Sequence, residues 1–168
     1  MSDQQYHAII LYQKFSTLFI LKTISMKQSS TIKKVMTKNP LSVKTDSRLT
    51  EVIRKIEDNH FDHLPVLDHE GKLQGIISKS DLYSKALSLS RTTSGKSYSE
   101  KLLFVTKAED IMTLDPVSVT SNQSIEYAIE LLLQDKFHAL PVIDDGQLVG
   151  IVTSKDILES IVDQKVTP

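Results

Sequence analysis

Apolar positions along this chain follow helical and strand periods in turn, and the whole series of periods occurs twice. Leu49, Val52, Ile53 and Ile56 stand at i, i+3, i+4 and i+7, and Ile125, Ala128, Ile129 and Leu132 repeat that spacing. Such positions share one stripe of a helix, so each set predicts an amphipathic helix with one buried face. Ahead of each helix, Leu41-Ser42-Val43 and Val117-Ser118-Val119 alternate as a short strand does. Behind each helix come two apolar runs. They are Leu64-Pro65-Val66-Leu67 with Leu73-Gln74-Gly75-Ile76-Ile77, and Leu140-Pro141-Val142-Ile143 with Leu148-Val149-Gly150-Ile151-Val152. The segments between them, Asp68-His69-Glu70-Gly71 and Asp144-Asp145-Gly146, mark each pair of runs as a hairpin. These turns differ by one residue, at the place where a length change costs least. A last helix carries Leu82, Tyr83, Ala86 and Leu87 in one copy and Ile157, Leu158, Ile161 and Val162 in the other.

The predicted fold class is α+β, built from two β-α-β-β-α repeats, each a small three-stranded sheet packed with helices. One such unit cannot bury both faces of its sheet, and two packed together can. The first repeat is expected over residues 32–87 and the second over 105–162. Residues 88–104 read as a surface linker, because their Ser/Thr-rich start has no apolar period. Residues 1–31 form an N-terminal extension and 163–168 a C-terminal tail.

Composition narrows the partners. The chain has 168 residues, 40% hydrophobic and 24% charged, as an ordinary globular protein does. Its formal net charge of −1 provides no global attraction for nucleic acid or an acidic membrane, which leaves a small molecule or a protein as the expected partner. The absence of cysteine removes disulfides, thiolate nucleophiles and cysteine-ligated zinc, with a reducing cytoplasm as the default location. Residues 8–24 are rich in Ile, Leu and Phe, but Gln13, Lys14, Ser16, Thr17 and Lys22 interrupt them. A spanning helix wants about 20 mostly apolar residues, and the basic start and small-residue cleavage site of a signal peptide do not appear. The segment can be a helix packed on the domain or a partner, a weak interfacial segment, or sequence upstream of a true start at Met26. A non-essential extension is the expectation, with a packing helix as its rival.

The candidate chemistry lies at the end of each hairpin. Gly75-x-x-Ser78-x-x-Asp81 and Gly150-x-x-Thr153-x-x-Asp156 each stand where a strand gives way to a helix. One reading is a helix-capping box, in which hydroxyl and carboxylate satisfy the first free N–H groups. The other is a ligand site, since a helix start offers N–H groups to an anion and a carboxylate can accept both vicinal hydroxyls of a ribose. Both roles can hold in one residue.

Together with Met36-Thr37…Pro40, Met112-Thr113…Pro116 and the two Leu-Pro-Val strands, these motifs resemble the cystathionine-β-synthase (CBS) domain. Two copies in tandem resemble a Bateman module, and the resemblance covers about residues 32–162. It implies two repeats related by pseudo-two-fold symmetry that bind an adenosine-containing ligand: AMP, ADP, ATP, S-adenosylmethionine or NAD. It also implies that each cleft takes its ribose-holding Asp from one repeat and much of its base-lining surface from the other. One cleft would then join Thr153 and Asp156 with Thr37, Leu41, Phe61 and His63, and with Lys155 and His138 near a phosphate. The other would join Ser78, Ser80 and Asp81 with Thr113, Val117, Phe137 and Ala139, and with Asp62. His63 against Ala139, His138 against Asp62 and Lys155 against Ser80 make the clefts unequal, the first being better suited to a phosphorylated ligand. The family further implies a homodimer, with Leu82, Leu87, Ile157 and Ile161 as candidate helix contacts either within the pair or across that dimer, and regulation of an effector protein in trans. The rival class is a pure interaction protein whose motif residues serve only as caps. His60, Asp62, His63, Asp68 and His69 lie close in sequence, but their register does not converge as a zinc site requires, so ordinary surface histidines are expected. No nucleophile elbow, Walker loop or dinucleotide fingerprint is present, so no enzyme is expected.

Overall fold

The computed structural model describes residues 30–92, 103–134 and 138–166. The N-terminal extension before Ser30, most of the linker and Phe137 lie outside the described residues. In the first repeat β1 (Thr37–Lys38), β2 (Val43–Lys44), α1 (Leu49–Asn59), β3 (His63–Leu67), β4 (Leu73–Ser78) and α2 (Lys79–Thr92) follow in order. In the second come β5 (Thr113–Leu114), α3 (Ile125–Leu132), β6 (Ala139–Asp144), β7 (Gln147–Thr153) and α4 (Ser154–Val166).

The two predicted stripes are the buried faces of α1 and α3. Leu49, Val52 and Ile56 sit in one core with Leu64, Val66, Ile77 and Leu82, while Ile125 and Ala128 sit in the other with Leu140, Val142, Val152 and Ile157. The hairpins form as read. β3 pairs antiparallel with β4 and β6 with β7, each with a bulge at the matching place, after Val66 and after Val142. Gly71 (φ 88°) and Gly146 (φ 76°) close the turns in the left-handed region that favours glycine. The strands expected at 41–43 and 117–119 are displaced toward their ends. Val43 and Lys44 pair parallel with Val66 and Leu67, and Val119 makes a single parallel bridge to Val142. Leu41 and Val117 follow a proline and stay exposed, because Asn39 and Asp115 turn the chain at positive φ just before it.

An exchange between the repeats was not legible in the periods. β1 belongs by sequence to the first repeat but pairs with β7 of the second, Thr37 opposite Ile151. β5 does the reverse, with Thr113 opposite Ile76 on β4. The sheets therefore run β2-β3-β4-β5 and β1-β7-β6. The turn before each crossing strand is carried over as well. Ile32, fully buried, lies in the core of the second repeat, and Ala108 lies in the core of the first. The helix starts close the exchange, with Leu49 N donating to Thr106 O (2.8 Å) and Ile125 N to Ser30 O (3.0 Å). Gly75 and Gly150 sit under the crossing strands. A Cβ on Gly75 would meet Met112 Sδ at 2.5 Å, and a Cβ on Gly150 would meet Met36 Sδ at 2.5 Å.

Candidate functional site

Each motif carboxylate ends a strand and opens a helix. Asp156 Oδ2 accepts from Thr153 N (2.7 Å) and Thr153 Oγ1 (2.6 Å), while Asp156 N donates to Thr153 Oγ1 (3.3 Å). Asp81 repeats this with Ser78, at 2.9, 2.6 and 3.2 Å. Both copies are thus complete reciprocal caps. The two bonds that each carboxylate accepts both reach Oδ2 and fill its two lone pairs, so Oδ1 keeps its own pair of acceptor sites. The capping and ligand readings do not compete for the same oxygen.

The exchange brings the second repeat's cap against the first repeat's crossing strand. Thr37, Leu41, Phe61, His63, His138, Thr153, Lys155 and Asp156 line one cavity of about 380 Å³. That volume is at the small end of the range for small-molecule sites. All the residues assigned to the first cleft from sequence meet here. Pro40, His60, Ile151 and Ser154 line it too and were not anticipated. Ile151 lines it because the exchange sets it opposite Thr37. Asp62 also lines this cavity, although the family pattern assigned it to the other cleft. It precedes β3 directly, and its carbonyl accepts from Lys79 N (2.8 Å) at the start of α2.

The residues assigned to the second cleft are arranged by the same pseudo-symmetry. Ser78 ends β4, and Ser80 and Asp81 stand in the first turn of α2. Ser80 Oγ lies 2.7 Å from Ser78 Oγ. Thr113 is on β5 beside β4, and Ala139 opens β6 opposite Thr153, as His63 opens β3 opposite Ser78. Phe137, the remaining member, lies outside the described residues.

Electrostatics distinguishes His63. Its imidazole is half-buried, and that burial holds its pKa below the ordinary 6.5; the neighbouring Asp62 and Asp81 work to raise it, and His138 to lower it further. Lys155 Nζ lies 3.7 Å from Glu159 in an exposed pair one helical turn apart, a weak attachment that an anion can displace. His69 is far outside this group, exposed and 3.7 Å from Asp46. Among the described residues no group of three His, Asp or Glu is placed to hold a metal ion, and no helix is long and apolar enough to cross a membrane.

A duplicated α+β unit with exchanged strands and a cleft between its halves is the architecture of a tandem domain pair. The chain belongs to the CBS domain family, whose model matches residues 32–88 and 108–163. It is 30% identical over 165 residues to an uncharacterized protein of Methanocaldococcus jannaschii, covering 85% of this chain and 98% of that one. Among solved structures it is similar to CBSX2 in complex with AMP, at 28% identity and TM-score 0.67, with 80% of this chain and 98% of that chain covered; CBSX2 is a protein of Arabidopsis thaliana. It is also similar to a CBS domain pair in complex with 5′-methylthioadenosine and S-adenosyl-L-methionine, at 25% identity and TM-score 0.67, covering 81% and 98%.

Proposed function

We propose that this CBS pair is a non-catalytic, cytoplasmic regulatory module that binds an adenosine nucleotide in the cavity between its repeats and signals to a separate effector protein. The observation that carries the reading is the free Oδ1 of a capped Asp156 on a cavity that the other repeat completes. Oδ1 accepts the two ribose hydroxyls. Leu41, Pro40, Phe61 and Ile151 provide apolar surface for the base. Lys155 and the free N–H groups at the start of α4 face the phosphate end. The AMP bound to one relative and the 5′-methylthioadenosine and S-adenosyl-L-methionine bound to another support this ligand class. A ligand touching both repeats favours one packing of the halves, and that difference in affinity is what an effector reads. Ser78, Ser80, Asp81, Thr113, Val117, Phe137 and Ala139 form a second, weaker site that lacks His63 and Lys155 equivalents. Energy sensing follows if AMP, ADP and ATP compete for one cavity.

Thermal melts test the reading. AMP at a hundredfold excess over its dissociation constant stabilises the fold by about 2.7 kcal/mol. Asp156→Ala loses the response at the cavity and also loses the cap, about 1 kcal/mol of stability without ligand. Asp81→Ala loses a similar cap and keeps the response. If no adenosine compound shifts the melt at millimolar concentration, the motif serves only as a pair of caps and the chain is an interaction module.

A further inference from the structure

The cavity carries three histidines among six titratable side chains. His60, His63 and His138 stand with Lys155 against Asp62 and Asp156. While the histidines are neutral, one lysine against two aspartates leaves the lining at −1; with all three protonated it reaches +2. The formal sign of the wall thus reverses across the range in which imidazole titrates.

Resting on the adenosine reading above, we infer that these histidines make the cavity proton-coupled: a phosphate-bearing ligand binds with uptake of protons by His63 and His138, so pH sets which charge class the cavity accepts. Near neutral pH the lining favours an uncharged or cationic adenosine compound. Below it the lining favours a nucleotide phosphate.

The placement of each group supports this. His63 opens β3 and is half-buried, so without ligand its proton is disfavoured. The charges that act on it come from several elements: Asp62 beside it, Asp81 at the start of α2, and His138 ahead of β6. The cavity adds Lys155 and Asp156 from the first turn of α4. Burial and His138 work against a proton there, and a phosphate entering the cavity offsets both. An opposite charge within about 4–6 Å raises an imidazole pKa by about 1–3 units, enough to overcome partial burial. His138 is exposed and lines the same cavity. His60 caps the C-terminal end of α1 at φ 55° and lines the same cavity. The second set of residues has Ala139 in place of His63, so this coupling belongs to the first cavity alone.

Calorimetric titration of the full chain with AMP and with adenosine, at pH 5.5, 6.5 and 7.5 and in two buffers of different ionisation enthalpy, tests the inference. The phosphate of AMP itself titrates near pH 6, so the quantity read is the difference between wild type and the variants His63→Asn, His138→Asn and the double variant. Wild type is expected to gain AMP affinity over the double variant by up to about tenfold per pH unit on acidification for each proton taken up. Its binding heat should depend on the buffer more strongly by the same number of protons, while adenosine affinity stays level. His138→Asn, at an exposed position, carries part of the effect with no risk to the fold. If wild type and all variants share one AMP profile while adenosine binds throughout, proton coupling is refuted and the adenosine reading stands. If neither compound binds at any pH, the adenosine reading fails and this inference falls with it.

Discussion

Gly150 and Met36 stand 114 residues apart and in different repeats, yet each explains the other: the glycine is small because the methionine of the crossing strand lies on it. Gly150→Ala pushes a Cβ into Met36 Sδ and is expected to cost about 1–3 kcal/mol by overpacking. Adding Met36→Ala should recover much of that, since the next obstacle, Thr37 O, lies at 3.2 Å. The equivalent pair, Gly75→Ala with Met112→Ala, should recover less, because Thr113 O lies at 2.9 Å and is backbone. Denaturant midpoints of the four variants decide it; equal rescue at both glycines refutes the account. His63 sets a second expectation at this scale. Its folded pKa lies below the unfolded 6.5, so between the two values the unfolded chain binds more protons than the folded one. Stability without ligand then falls as pH drops below about 6.5 and is complete above it. His63→Asn should flatten that part of the melting curve between pH 7.5 and 5.5, and an unchanged slope would assign it to other groups. The cavity residues were legible because a duplicated motif marks them twice. Pro40, His60 and Ser154 were not, because nothing in their own side-chain pattern points to a cleft made by two distant segments.

Helices and hairpins were legible because their burial is local: Leu49, Val52 and Ile56 meet the core through one stripe whatever the rest of the chain does. The crossing strands were hidden because two residues, Thr37–Lys38 or Thr113–Leu114, carry no period and take their partners from the other repeat. The last helices behave differently again. Leu82 and Ile157 are buried in their own cores, so of the candidate helix contacts these two act within the pair. Their neighbours stay exposed: Tyr83 (60%) and Leu87 (55%) on α2, and Leu158 (62%) and Val162 (58%) on α4, at equivalent places four residues apart. Such an apolar stripe on each of two pseudo-symmetric helices fits the homodimer that the family resemblance implies, in which both would meet a second copy. Light scattering should find a dimer in wild type and a monomer in the double variant Leu87→Glu and Leu158→Glu, with the melt of the monomer retained. A wild-type monomer at all concentrations refutes the dimer.

The exchange makes the two repeats one folding unit. Ile32 is written in the first repeat and buried in the second core, while Ala108 is written in the second and buried in the first. Helices α1 and α3 each begin on a carbonyl supplied from outside their own repeat, Thr106 O and Ser30 O. A fragment ending at residue 92 therefore lacks Ala108, Met112 and β5, and leaves one edge of β4 unpaired. A fragment beginning at residue 103 lacks Ile32, Met36 and β1. Removing the buried Ile32 side chain alone, as Ile32→Ala, is expected to cost about 2–5 kcal/mol, a large part of the stability of a domain of this size. Neither fragment should then show a cooperative melt by itself, and an equimolar mixture should regain one, because every missing contact is present in the partner. The intact chain should unfold in a single transition, with Ile32→Ala lowering the whole of it. Two separate transitions, or an independently folded fragment, would mean that the exchanged strands decorate two autonomous domains. A single transition ties the ligand cavity to global stability, since Thr37 reaches Asp156 only through the same exchange.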